Sequence, residues 1–478
     1  MNLRLLLILA GGAAAVWSVR RWRAAIQLAM VLLILEGAIR KWVFPGAQDL
    51  VYFAKDVFFL GAYLGFLRER RRLRDSLPRI AGLTALISVA AFYGLLQVLN
   101  PLLPNLLVGV LGFKAYFFYV PLLWVVPATF PSAATMAKFL RRYALIAIPV
   151  GLLATAQFFS SPTSVLNTYA RPGEGESFYA TTFGSSSFVR VTGTFSFISG
   201  YTSYLLATVI LLLGLLGTTR WRFRGNLLLF LALAMTLLGI LMTGSRGPLI
   251  LLAFVLPFYW WLVIREQGGG ALFARVLLGM SLVFGIVAYA GEEAIGAFYG
   301  RASISSDFQG RLATPFLQPF DLLPQAGLFG FGIGASHQTA VAVTKGLVPY
   351  SWTRGIVVEG ETGRIMLELG GLGFVLMYLI RLYLPLFALR RLGTLRVPWY
   401  RAVGTSCLLF LLAQILGGVV FDVVTGVYYW FFAGLLLRVI QLDREAVARR
   451  AAAPAPAVQG TPPQPGLIPA PVPRTEAG

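Results

Sequence analysis

Apolar runs with few or no charges alternate along this chain with short, arginine-rich breaks. The runs fall near residues 2–19, 24–39, 50–67, 80–99, 106–128, 143–158, 195–217, 227–242, 247–264, 277–291, 365–388, 402–420 and 427–441. Most approach the roughly 20 residues a helix needs to cross about 30 Å of hydrocarbon, which makes about thirteen candidate spans. Inside a bilayer every backbone N–H and C=O must be satisfied within the protein, so such runs form helices. The pattern predicts an all-α polytopic membrane protein with about 12–13 transmembrane helices. Residues 1–19 begin like a signal peptide, but RRWR follows at 20–23 without a clear cleavage site, so an uncleaved first span is expected.

The breaks carry the orientation. RRWR at 20–23, RERRRLR at 68–74, KFLRR at 138–142, RWRFR at 220–224 and the arginines of 390–401 recur at alternate connections. All can face the cytoplasm together, as the positive-inside rule asks. The connections near 40–50, 100–105, 159–194, 243–246, 292–364 and 421–426 then face outward, into the periplasm if the cell has one. The connection at 292–364 is several times the usual length, and its aromatic and aliphatic content argues for a folded element against the membrane surface. The expected organisation is a bundle at 1–291, an extracytoplasmic loop domain at 292–364, further spans at 365–445 and a disordered cytoplasmic Ala/Pro-rich tail at 446–478. No fixed-period repeat and no inverted pair of broken helices is visible.

Composition agrees: 58% of residues are hydrophobic and 12% charged, with mean hydropathy +0.76, against about a quarter charged in soluble domains. The net charge of +21 would suggest nucleic acid in a soluble protein. Here it follows from the cytoplasmic arginines, and no aromatic-interleaved basic face appears, so no nucleic-acid partner is expected. The single cysteine, Cys407, lies in an apolar run and rules out an intrachain disulfide.

Outward-facing cations run against the positive-inside rule and call for another explanation. Arg190, Arg246, Arg301, Arg311, Arg354 and Arg364 collect on that side. Lipid-headgroup snorkelling and loop ion pairs are the bland account. Arg190 in RVTGTF and Arg246 in TGSRG sit beside Gly, Ser or Thr at span boundaries, where small residues let a ligand approach the backbone. Guanidinium groups and helix N-termini suit a diphosphate. Among the 19 acids, Glu359, Glu361 and Glu368 cluster in VVEGETGRIMLELGG. Glu361, Arg364 and Glu368 are spaced to share a helical face, and a Glu361–Arg364 salt bridge is as well founded as a catalytic role. Glu359 is freer to act as a base toward a bound hydroxyl, and the sole histidine, His337, follows a Gly-rich turn. No DxD pair on a cytoplasmic loop, no Walker motif, no Cys/His cluster and no HExxH is present, so neither a metal nor a nucleotide cofactor is expected.

These blocks resemble the O-antigen ligase and O-antigen polymerase superfamily of bacterial membrane glycosyltransferases. RVTGTFSFISGYTSYL at 190–205, LLGILMTGSRGPLILLAF at 237–254, and GRLATPFLQPFDLLPQAGLFGFGIGAS followed by ETGRIMLELGGLGFVLMYL are similar to its blocks in order and spacing. EGAIRKWVFP at 36–45 looks like a block of one subset, and the resemblance covers about residues 30–440. It implies an undecaprenyl-diphosphate-linked glycan donor, neither nucleotide nor metal, and diphosphate contacts from Arg190 and Arg246; Arg311 and Arg364, on the same side, are further candidates for those contacts. The family's base, a His followed by Asn, stands where this chain has Glu359 and Gly360. Either Glu359 replaces it or His337 reaches in from the loop.

The expected function is a polymerase of a cell-surface or exported polysaccharide in the bacterial inner membrane, its site facing the periplasm. It would transfer lipid-linked glycan to the hydroxyl of a lipid-linked repeat unit, with the bilayer and other polysaccharide-assembly proteins as partners. Tyr350 and Trp352 would stack on sugars or anchor the loop at the interface. A ligase acting on lipid A core is the alternative within the family. A lipid-linked oligosaccharide flippase would need charges through mid-membrane, where Glu36 and Lys114 are about the only candidates. A non-catalytic assembly subunit would tolerate loss of Glu359, His337 and Arg246 together.

Overall fold

The computed structural model describes residues 3–73, 80–168, 181–183, 188–217, 223–267, 308–336 and 360–452, with isolated positions at 285, 292, 293, 295, 296 and 358. The chain is an all-α polytopic membrane protein. Among the described residues eight helices are long and apolar enough to cross a membrane, or nine if a pair bent by 45° counts as one span. The difference from thirteen has local causes. The runs at 227–242 and 247–264 give shorter apolar helices over their described residues, Asn226–Met242 and Arg246–Tyr259, the run at 402–420 is helical only to Ala413, and 277–291 lies almost wholly outside the described residues.

The helices are α1 Leu3–Arg20, α2 Trp22–Ala38, α3 Gln48–Tyr52, α4 Ala54–Leu73, α5 Ala81–Val98, α6 Leu106–Phe117 and α7 Leu122–Thr129. There follow α8 Ala133–Leu145, α9 Ala147–Phe159, α10 Ile198–Leu216, α11 Phe223–Met242 and α12 Arg246–Gln267. The last are α13 Phe308–Ala326, α14 Glu361–Leu392, α15 Pro398–Ala413 and α16 Val423–Ala452. In α2 the buried side chains Trp22, Ile26, Met30 and Leu33 recur at helical spacing; the helix packs against α4, where Trp22 meets Phe66, and Gly37 admits the 194–196 backbone. Gly61 and Gly65 of α4 let α1 approach closely, since a Cβ on Gly65 would stand 2.4 Å from the Val19 carbonyl oxygen. α10 and the first half of α16 are almost wholly enclosed, whereas α1 turns Leu5, Ile8, Leu9 and Val16 outward.

Side-chain bonds gather alternate connections at two ends. At one, Arg23 donates to the Ala128 carbonyl and pairs with Glu69, Arg438 donates to the Phe130 and Pro131 carbonyls, and Asp443 accepts from the Arg396 and Val397 amides. At the other, Trp42 donates to the Val165 carbonyl, Lys41 to Thr192, and Arg190 to the Thr243 carbonyl.

α14 is not one straight rod. Gly370 has φ 65° and ψ −173°, which breaks it into Glu361–Leu369 and a longer arm. Glu361 pairs with Arg381, twenty positions on, whereas a straight helix would separate them by about 30 Å. The two arms therefore fold back on each other about Gly370. The backbone groups freed at the break are taken by the Gly-rich turn after α13. Phe331 and Gly332 amides donate to the Leu367 and Glu368 carbonyls, and the Gly371 and Leu372 amides donate to the Gly327 and Leu328 carbonyls. Irregular backbone inside a membrane protein is tolerated only with such compensation.

Candidate functional site

Residues 188–192 approach the bundle without helix, Val189 forming an isolated antiparallel bridge with Thr182, and the chain then turns, the Phe195 amide donating to the Thr192 carbonyl, into α10. The Arg190 amide donates to the Thr181 carbonyl and the Val191 amide to the Met242 carbonyl, which lays the segment along the end of α11. Gly193 takes φ 55° and is clamped by Gln157, whose Oε1 accepts from the Gly193 amide and whose Nε2 donates to the Gly193 carbonyl. Fixed in this way, Arg190 donates through Nε to the Thr243 carbonyl at 2.9 Å and through Nη2 to Ser245 Oγ at 3.4 Å. Arg246 opens α12 at the next residue. Two arginines chosen from separate sequence blocks thus stand at one helix-to-helix turn, both half-buried.

The opposite side of the same segment receives a second set of cations. α2 runs into a π-helical turn, Ile39–Val43, a form frequent at functional sites. Arg40 donates to Ser196 Oγ at 3.0 Å, and Lys41 donates to Thr192 Oγ1 at 2.8 Å and to the Gly193 carbonyl at 3.3 Å. Glu36 pairs with Lys55 at 2.7 Å and lies 3.7 Å from Arg40. Asp56 pairs with Lys114 at 2.5 Å and accepts from Tyr119 at 2.7 Å. Arg40, Lys55 and Lys114 all lie over the ring of Tyr52.

A third polar region is built by the folded-back α14. The expected pairing of Glu361 with Arg364 is replaced. Glu361 bonds Arg381 and accepts from the Val420 and Phe421 amides of the irregular 414–422 connection. Arg364 lies over the Phe421 ring at 5.2 Å. Once the helix folds at Gly370, a buried carboxylate meets the facing arm and the bent connection before its helical neighbour. Glu368 diverges from both. It is fully buried and accepts from Tyr116 Oη, the Gly334 amide, and the amide and hydroxyl of Ser336. Asp422 caps the start of α16 by accepting from the Val424 amide, and it also accepts from Ser203 and Thr425. Burial pushes the Asp422 carboxyl above the ordinary aspartate range, against hydrogen bonds that pull it down.

Not all expected site residues can be placed. His337 and Glu359 lie outside the described residues, as do Arg301, Arg354, Tyr350 and Trp352, and Arg311 lies in α13 with its side chain outside them. The expectation that Glu36 and Lys114 are about the only charges along spans is corrected. Arg40, Lys41, Lys55, Asp56, Glu368 and Arg381 are buried or half-buried there too. The signal was present: AKDVFF carries two charges inside the run 50–67, hidden by averaging over its apolar neighbours. Among the described residues no group of three His, Cys, Asp or Glu side chains is placed to hold a metal ion. In comparisons with known proteins no family model matches the chain and no curated protein matches it.

Proposed function

We propose that this chain is a membrane glycosyltransferase that polymerises a cell-surface or exported polysaccharide from an undecaprenyl-diphosphate-linked donor. The observation that carries the proposal is the convergence of Arg190 on the turn that leads into Arg246. Two guanidinium groups beside a helix N-terminus match a diphosphate in charge and hydrogen-bond geometry. The arginine-rich end is assigned to the cytoplasm by the positive-inside rule, which places Arg190 and Arg246 at the periplasmic side of the inner membrane.

In the proposed reaction the hydroxyl of a lipid-linked repeat unit loses its proton to a base, Glu359 or His337. Its oxygen forms a bond to the donor's anomeric carbon as that carbon's bond to the diphosphate oxygen breaks. The lipid diphosphate leaves as an anion, and Arg190 and Arg246 stabilise the charge developing on it. The test uses purified protein in nanodiscs with lipid-linked repeat units. Wild type should make long glycan, whereas Arg190→Ala and Arg246→Ala should not. Normal chain length from both variants would reject the role.

A second reading, a flippase for a lipid-linked glycan, is favoured by the broken α14 and by the ion pairs inside spans. It predicts transbilayer movement of labelled lipid without elongation in the same nanodisc-grade protein reconstituted into vesicles.

A further inference from the structure

The segment 190–196 has two functional sides. Arg190 serves the turn before Arg246, while Thr192, Gly193 and Ser196 receive Lys41 and Arg40. The cations on this second side are Arg40, Lys41, Lys55 and Lys114, and the carboxylates among them are Glu36 and Asp56. Each carboxylate engages other members: Glu36 holds Lys55 and Arg40, and Asp56 holds Lys114. Lys41 is 5% exposed; it bonds a hydroxyl and a carbonyl and lies 5.3 Å from the Trp42 ring, with no carboxylate among the described residues. The buried Nε of Arg40 has no hydrogen-bond partner.

Four basic and two acidic side chains make up the group, so the carboxylates present do not suffice to pair every base. A buried ammonium keeps its charge only beside an anion. A diphosphate diester would supply negative oxygens to Lys41 and to the unpartnered Nε of Arg40. Arg40 and Lys114 are half-buried and give the cluster an opening, beside the half-buried ring of Tyr52. The π-turn Ile39–Val43 carries both Arg40 and Lys41, a local irregularity that a plain span does not need.

We propose that Arg40, Lys41 and Lys114 form a second diphosphate site, which takes the lipid-linked acceptor beside the donor held at Arg190 and Arg246. This rests on the polymerase reading: a reaction that joins two lipid-diphosphate glycans must hold two diphosphates in one leaflet at once. The shared segment 190–196 supplies a wall common to both. A ligase, whose acceptor is not diphosphate-linked, has no use for the second site.

The experiment measures radiolabelled undecaprenyl diphosphate bound per full-length chain in nanodiscs. Wild type should bind two. Arg40→Gln combined with Lys41→Met should bind one, Arg190→Gln combined with Arg246→Gln should bind one, and all four together none. Two equivalents retained by the Arg40/Lys41 variant would overturn the second site while leaving the donor reading intact. Two retained by the Arg190/Arg246 variant would instead overturn the donor reading. Equal displacement by inorganic pyrophosphate and by unlabelled lipid would overturn a lipid-linked ligand. Arg40→Gln alone, which leaves the bonds of Lys41 in place, should weaken the second binding event roughly tenfold or more, the loss of one bond to a charged group. Lys41→Arg should retain it. Because the Gly193 carbonyl keeps Gln157 as a donor, Lys41→Met should leave the thermal midpoint unchanged or higher. A marked fall in that midpoint would make Lys41 a structural strut and overturn the proposal.

Discussion

Glu361 and Arg381 stand twenty residues apart on α14, on either side of the break at Gly370, and form a buried ion pair. The pair closes a helical hairpin whose apex is Gly370, and it ties that hairpin to the irregular connection before α16. Arg381 also donates to the Ile415 and Gly417 carbonyls, and Glu361 accepts from the Val420 and Phe421 amides.

Breaking this pair on one side should be far worse than removing it. Arg381→Met leaves a buried carboxylate without its cation and should reduce stability by about 3–5 kcal/mol. Glu361→Gln with Arg381→Met should recover much of that loss. A double-mutant cycle on unfolding in detergent measures the coupling. Strictly additive single and double losses would mean that the pair is not coupled.

The apex tolerates only glycine. A Cβ on Gly370 would lie 2.4 Å from the Leu328 carbonyl carbon and oxygen, at a φ of 65° that side chains rarely adopt. Gly370→Ala should therefore sharply lower the yield of folded protein. Gly393→Ala, where a Cβ meets nothing within 4 Å, should express normally. Comparable size-exclusion profiles for the two would contradict the fold-back.

Glu368 holds the Gly-rich turn against α14 by accepting from Gly334, Ser336 and Tyr116. Glu368→Ala leaves those buried donors unsatisfied, at about 1–3 kcal/mol for each group that finds no new partner. Hydrogen exchange at the Gly334 and Ser336 amides should accelerate in the variant. Unchanged protection there would remove Glu368 from this role.

Asp422 gives the stability a pH dependence of definite sign. Its carboxyl is raised by burial, so the folded state holds the proton more tightly than the unfolded state. The contribution is fully present below the unfolded value of about 3.9 and is lost as pH rises through the higher folded value. Asp422→Asn should lack that loss, so its melting temperature relative to wild type should climb with pH across this window. A constant difference between the two would contradict the shift.

The spans were legible in the chain because hydropathy is a local sum. A run such as 198–216 must leave water whatever surrounds it, and the recurring arginines order the ends in alternation. Arg190 and Arg246 were legible for a related reason, since cations beside small residues at span ends stand out against an apolar background. Their meeting at Thr243 and Ser245 was not, because it depends on how Gly193 and Gln157 aim the 190–197 segment.

By itself, the sequence determined an all-α membrane bundle and the alternation of its connections, since both follow from transfer free energies summed along the chain. Tertiary structure alone decided the partners: Glu361 with Arg381 instead of Arg364, and Lys41 against Thr192. A buried charge takes whatever complementary group the fold brings within hydrogen-bond reach, and that distance is set by helices packing far from one another in the chain.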